Sequence, residues 1–113
     1  DVAFVRQPRR LAFGRGPLPT GSELELRAGA LADELASLAG EGVQSLLLEG
    51  GPTIAAAFLA DGLVDRLLVF VAPVLAGGGV PMLGALPDPL DLGPPELERV
   101  GEDVLLSWRL REI

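Results

Sequence analysis

Leu46-Leu47-Leu48-Glu49-Gly50-Gly51-Pro52-Thr53-Ile54 is the stretch whose reading decides the fold. The apolar run that leads into Glu49 reads as a buried parallel strand, because an uninterrupted apolar segment needs cover on both faces. A carboxylate stands at its C-terminal end, and two glycines follow that let the backbone turn sharply and approach a ligand closely. Pro52 suits the first turn of a helix, where its missing N–H removes a donor that would be unpaired anyway. Strand, acid, Gly-Gly and helix start in that order build a phosphate-accepting corner beside one anchoring carboxylate. The first amides of a helix lack intrahelical partners and sit at the positive end of its macrodipole, so a phosphate there gains hydrogen bonds without a lysine. The same residues also make a tight strand-to-helix turn that binds nothing, and Gly-Gly-Pro alone does not choose between the two. The pattern is neither G-x-G-x-x-G nor G-x-x-x-x-G-K-[ST], so the standard Rossmann and P-loop readings fail.

Outward from this corner, a helix is expected from Pro52 to about Ala60, with Ile54 and Phe58 toward a sheet and Ala55, Ala56 and Ala57 keeping it slim; Asp61-Gly62 ends it. Residues 67–72 form a second continuous apolar run, a central strand. Two strands joined by a helix make a βαβ unit, whose crossover is right-handed in nearly all proteins. Gly77-Gly78-Gly79 marks a loop at the end of that strand, the side where ligands collect in open α/β sheets; a flexible turn is the plainer reading. Residues 81–95 form a Pro-punctuated connection without periodicity. Strands over 97–100 and 104–111 flank Gly101-Glu102-Asp103, a hairpin signal. In the last strand Val104, Leu106, Trp108 and Leu110 alternate with Leu105, Ser107, Arg109 and Arg111, which makes Trp108 a core or dimer-interface residue rather than a base-stacking platform.

Upstream, leucines at 31, 35 and 38 define an amphipathic helix over residues 30–39, stopped by Gly40 and Gly42. Residues 24–26 read as a short edge strand and 7–22 as a loop in which Arg6, Arg9, Arg10 and Arg15 form a basic cluster, either a solvated connector or an anion contact. Residues 2–5 read as a strand entered in mid-fold, so an N-terminal portion of the domain is expected before Asp1.

Composition narrows the chemistry. The 113 residues suit one domain, and 49% hydrophobic content supplies a core. No cysteine means no disulfide, and with neither a secretion signal nor a membrane-length apolar run a cytoplasmic protein is expected. Without His or Cys there is no thiolate, no Ser-His-Asp triad and no His/Cys zinc site, and no metal is expected. The nine basic residues are all arginine against 16 acids, and the net charge of −7 argues against nucleic acid.

Taken together, Leu48-Glu49-Gly50-Gly51-Pro52-Thr53, Phe58-Leu59, Gly62-Leu63-Val64-Asp65, Val71-Ala72-Pro73-Val74-Leu75-Ala76-Gly77-Gly78 and the tail Val100-Gly101-Glu102-Asp103-Val104 resemble the C-terminal reductase domain of the bifunctional riboflavin-biosynthesis deaminase–reductases. The match runs from about Val43 to Leu110. It implies an α/β fold, a dihydrofolate-reductase-like mostly parallel sheet flanked by helices with a C-terminal antiparallel hairpin, present as part of a larger domain. It further implies NADPH-dependent reduction of 5-amino-6-(5-phosphoribosylamino)uracil, with hydride delivered from nicotinamide C4 to the sugar carbon bearing the amine. Carried over by position, Glu49 contacts the substrate. Gly50, Gly51, Pro52, Thr53, Ile54, Ala55, Ala56 and Ala57 hold the cofactor, with its phosphates at the helix start. Arg9, Arg10 and Arg15 are candidates for a 2′-phosphate contact. A homodimer is expected, and the strain that such folds place at this corner makes the Gly50–Gly51 bond a candidate for cis geometry. Two departures accompany the resemblance: the family's lysine-bearing N-terminal segment and its His/Cys deaminase set have no counterpart here. Arg66 also stands where an acid is expected after Asp65. A related reductase acting on a pterin-like substrate, or a non-catalytic dimerisation or nucleotide-binding module, are the alternatives.

Overall fold

A computed structural model describes residues 8–14, 18, 21 and 23–111. The expected strand at residues 2–5, together with Arg6 and Arg15, lies outside them. The chain divides into two compact units, Asp1–Leu46 and Leu47–Ile113.

In the first unit, β1 (Leu11–Phe13) and β2 (Glu25–Arg27) pair in parallel, Leu11 opposite Glu25 and Phe13 opposite Arg27. Helix α1 (Leu31–Gly40) follows, its Leu38 only 1% exposed. The 31, 35, 38 spacing puts all three leucines on the covered side, with Leu31 and Leu35 half-buried. The helix closes with a Schellman motif: Gly42 N–H donates to Ala39 O at 3.0 Å and Val43 N–H to Leu38 O at 3.0 Å. Gly42 takes the left-handed backbone this requires, at φ 94°. Ion pairs staple the unit's surface. The Arg9 guanidinium meets Glu25 at 2.9 Å and Glu41 at 3.0 Å, and Arg27 meets Glu41 at 3.0 Å. Hydrogen bonds from the arginines hold the Glu25 and Glu41 carboxyls below the usual carboxylate range, and the same bonds push the Arg9 pKa up.

In the second unit, α2 (Pro52–Ala60) begins at the proline and ends with the same motif as α1. Gly62 N–H donates to Leu59 O at 3.1 Å and Leu63 N–H to Phe58 O at 3.0 Å. Ala56 and Phe58, 5% and 2% exposed, are its buried contacts. A three-stranded antiparallel sheet follows in the order β3 (Arg66–Val71), β5 (Asp103–Arg109), β4 (Glu96–Val100). Leu67 stands opposite Trp108 and Val69 opposite Leu106. Beyond β5, the Leu110 amide donates to Asp65 O at 2.8 Å, and Arg111 Nε lies 3.3 Å from the Asp65 carboxylate. The C-terminal hairpin turns at Gly101-Glu102, as its sequence signal predicts.

The α/β class and the hairpin stand, and four details are corrected. Residues 43–49 are not a strand, and Leu47 is 77% exposed. A continuous apolar run cannot choose its own faces; it becomes a strand only where another strand offers a ladder, and none of the described strands pairs with it. The βαβ crossover therefore does not form, and β3 pairs antiparallel with β5. Among the described strands parallel pairing is confined to β1 and β2, and β1 falls inside the segment read as a loop. The Gly50–Gly51 bond is trans, as is every peptide bond among the described residues. No described helix is long and apolar enough to cross a membrane.

Candidate functional site

The glycine corner holds together through one contact and one opening. A Cβ on Gly50 would collide with the Ile54 side chain, so glycine here lets the first turn of α2 fold back onto the incoming chain. Around Gly51, by contrast, a Cβ would meet nothing within 4 Å. Gly51 caps α2 in extended backbone, φ −69° and ψ 175°, with no side-chain cap. Pro52 has no N–H, and the Ala55 amide closes the first turn onto Gly51 O at 3.1 Å. The amides of Thr53 and Ile54 donate to no backbone acceptor among the described residues. No acid stands in this first turn. The helix start thus offers two donors and a partial positive charge with nothing of its own to neutralise them.

Below the corner lies an apolar cavity of about 260 Å³. Leu48, Glu49 and Gly50 form one wall, Ala55 and Leu59 of α2 the next, and Leu67, Leu68 and Val69 of β3 a third. The connection before β4 supplies the roof through Met82, Leu83, Leu86, Leu90 and Leu92. Glu49 is the only carboxylate in this lining, and it is exposed at the rim. A carboxylate beside aliphatic walls can orient a planar polar ligand whose ring enters the cavity.

Of the site residues expected from sequence, the cavity brings together Glu49, Gly50 and Ala55. Gly51 and Thr53 are exposed outside it, and Pro52 is half-buried with its carbonyl accepting the Gly84 N–H at 2.9 Å. Ile54 covers Gly50, Ala56 is buried, and half-buried Ala57 accepts the Asp61 N–H at 3.1 Å. Arg9 does not stand free for a 2′-phosphate, because Glu25 and Glu41 already hold it; Arg10 is exposed and Arg15 lies outside the described residues. The Gly77-Gly78-Gly79 loop does not line this cavity. The roof was not foreseen. Its signal is a density of apolar residues, Met82, Leu83, Leu86, Leu90 and Leu92, too high for a solvated connector, in a segment that Pro87 and Pro89 keep out of a helix. A larger depression of about 490 Å³, lined by Arg66, Glu96, Ser107, Trp108 and Arg109 among others, contains none of the expected residues. Among the described residues no three carboxylates converge where they could hold a metal ion.

These features define an α/β domain whose glycine corner opens onto an apolar, acid-rimmed cavity. The profile of the RibD C-terminal domain matches residues 20–106, and the chain belongs to that family. Over 115 residues it is 32% identical to the riboflavin biosynthesis protein RibD of Mycobacterium tuberculosis, covering 90% of this chain and 33% of that protein. Over 44 residues it is 46% identical to the 2,5-diamino-6-ribosylamino-4(3H)-pyrimidinone 5′-phosphate reductase of Methanothermobacter thermautotrophicus, covering 39% of this chain and 20% of that protein. A crystal structure of a protein assigned to riboflavin biosynthesis, from Shewanella sp. PV-4, superposes with a TM-score of 0.77 at 28% identity, covering 96% of this chain and 64% of that one. The chain spans about a third of the length of the RibD protein from M. tuberculosis.

Proposed function

We propose that this domain is a reductase of riboflavin biosynthesis that uses NADPH to convert 5-amino-6-(5-phosphoribosylamino)uracil into its ribitylamino form. One observation carries the reading: Glu49 and Gly50 rim an apolar cavity immediately before a helix start with unpaired, uncompensated amides. Family membership and the reductase name borne by the Methanothermobacter relative support it. The open Thr53 and Ile54 amides, with free space around Gly51, fit the anionic part of a dinucleotide. Glu49 faces the substrate as hydrogen-bond acceptor, and the leucine walls give its ring apolar contact. When bound, the cofactor supplies the hydride. The residues of this chain bind and align the two reacting carbons, which suits a site without a nucleophile.

The assay is NADPH oxidation by the full chain with the phosphoribosylaminopyrimidine, run in parallel with its 2,5-diamino pyrimidinone counterpart. Turnover that is lost in Glu49→Gln and Gly51→Val supports the reading. A chain that neither binds NADPH nor reduces either pyrimidine removes it. A second reading, a homodimerisation module, draws on Leu68 and Phe70, which alternate on one exposed face of β3. Light scattering tests it, and a monomeric mass at micromolar concentration would end it.

A further inference from the structure

Residues 84–93 form neither helix nor strand, yet this strap is fastened at both ends. At one end the Gly84 amide donates to Pro52 O at 2.9 Å. The approach is close: a Cβ on residue 84 would lie 3.0 Å from that oxygen and 3.4 Å from Thr53 Cα. Both are backbone atoms of a helical turn and cannot rotate aside as a side chain would. At the other end Trp108 Nε1 donates to Gly93 O at 2.9 Å, while the Gly93 amide donates to Asp91 Oδ1 at 3.0 Å. Between the two fastenings, Leu86, Leu90 and Leu92 roof the apolar cavity.

We propose that Gly84 is a positioning residue for cofactor binding: by pinning the strap to Pro52 it fixes the first turn of α2, with its open amides, above a roofed cavity. The inference rests on the cofactor site proposed at that turn. A turn and roof already in place lose little freedom when a ligand arrives, whereas a strap loose at residue 84 would have to be ordered by the ligand itself. Glycine suits the contact, because a Cβ here would crowd the Pro52 carbonyl and force the strap or the helix start to give by a few tenths of an ångström.

The test measures NADPH binding to the full chain by equilibrium dialysis. Gly84→Ala is expected to weaken binding about two- to tenfold, the range spanned by one lost hydrogen bond. It should also change the emission of Trp108, the sole tryptophan, which holds the strap's far end. Trp108→Phe keeps the ring packing and removes the donor to Gly93; its loss should have the same direction and be smaller. Leu106→Ala, a packing loss in β5 at a residue that lines neither cavity, should leave the affinity unchanged. Unchanged affinity in Gly84→Ala, or an equal loss in Leu106→Ala, overturns the positioning role while the proposed cofactor remains. If Gly84→Ala does not fold, Trp108→Phe against Leu106→Ala decides in the same way. A wild-type chain that binds no NADPH overturns both proposals together.

Discussion

The two helices end with the same pair of hydrogen bonds, yet they begin with opposite electrostatics. α1 carries Asp33 and Glu34 in its first turn, whereas α2 opens with Gly51, Pro52 and Thr53 and no acid at all. Neither has a side-chain cap. In α1 the positive end of the macrodipole is met by the helix's own carboxylates. In α2 it is left unmet, beside an opening where a Cβ on Gly51 would meet nothing within 4 Å. A helix that neutralises its own start has no use for an external anion. One that does not, in a chain without a single lysine, keeps its strongest local attraction for negative charge on the backbone.

The comparison can be broken most forcefully through the buried anchor of each helix. Phe58→Ala should cost about 3–5 kcal/mol and Leu38→Ala about 2–5 kcal/mol, as cavity-forming core truncations do. Urea titration measures both, and a change under about 1 kcal/mol in either would show that the helix is not anchored there. Next in size is the functional asymmetry. Gly51→Val should weaken NADPH binding by filling the open space at the helix start, while its thermal cost is only that of a poorer N-cap, about 1 kcal/mol, because its Cβ meets nothing. Gly50→Ala should do the reverse first, destabilising the corner by displacing Ile54. Equal thermal losses from the two substitutions would contradict the geometry.

The shared helix endings give a smaller and symmetric effect. Gly42→Ala and Gly62→Ala each force a Cβ into left-handed backbone, at φ 94° and 67°, and should each cost about 1–2 kcal/mol. A difference between them of more than about 1 kcal/mol would mean that the two endings are not equivalent. The smallest effect belongs to the ion pairs of the first unit. Arginine hydrogen bonds lower the Glu25 and Glu41 pKa values in the folded state, so their contribution is present above the ordinary carboxylate pKa. It is lost as pH falls through the lowered values. Melting temperatures from pH 7 down to about 3 should show this decline, and Glu41→Gln should flatten it. These groups are solvent-exposed, so the slope will be shallow and will shrink further with salt.

What could be read from sequence follows the range of the interactions involved. α2 was bounded by its own residues, Pro52 at one end and Asp61-Gly62 at the other, and the structure places it at Pro52–Ala60. α1 and the hairpin strands were legible within a residue or two for the same reason, since periodicity and turn chemistry are local. Residues 43–49 misled because apolar continuity reports burial demand, not the presence of a neighbouring strand. β1 was hidden because its three residues are specified by pairing with β2 across a Pro- and Gly-rich segment. Arg9 reaches acids 16 and 32 positions away, a pairing no spacing rule predicts. At the site, Glu49 and Gly50 were visible as a motif, while the roof over them depends on Gly84 touching Pro52, a contact with no pattern in the sequence.

β4 has a consequence of another kind. It lies at an edge of its sheet, wholly exposed, and carries Glu96, Glu98 and Arg99. Were identical chains to stack through this edge in register, every copy would set glutamate upon glutamate at about 4.8 Å, a spacing at which like charges resist fibre growth. This edge strand thus resists cross-β stacking along its own side of the sheet while leaving its outward backbone hydrogen-bonding groups in open water.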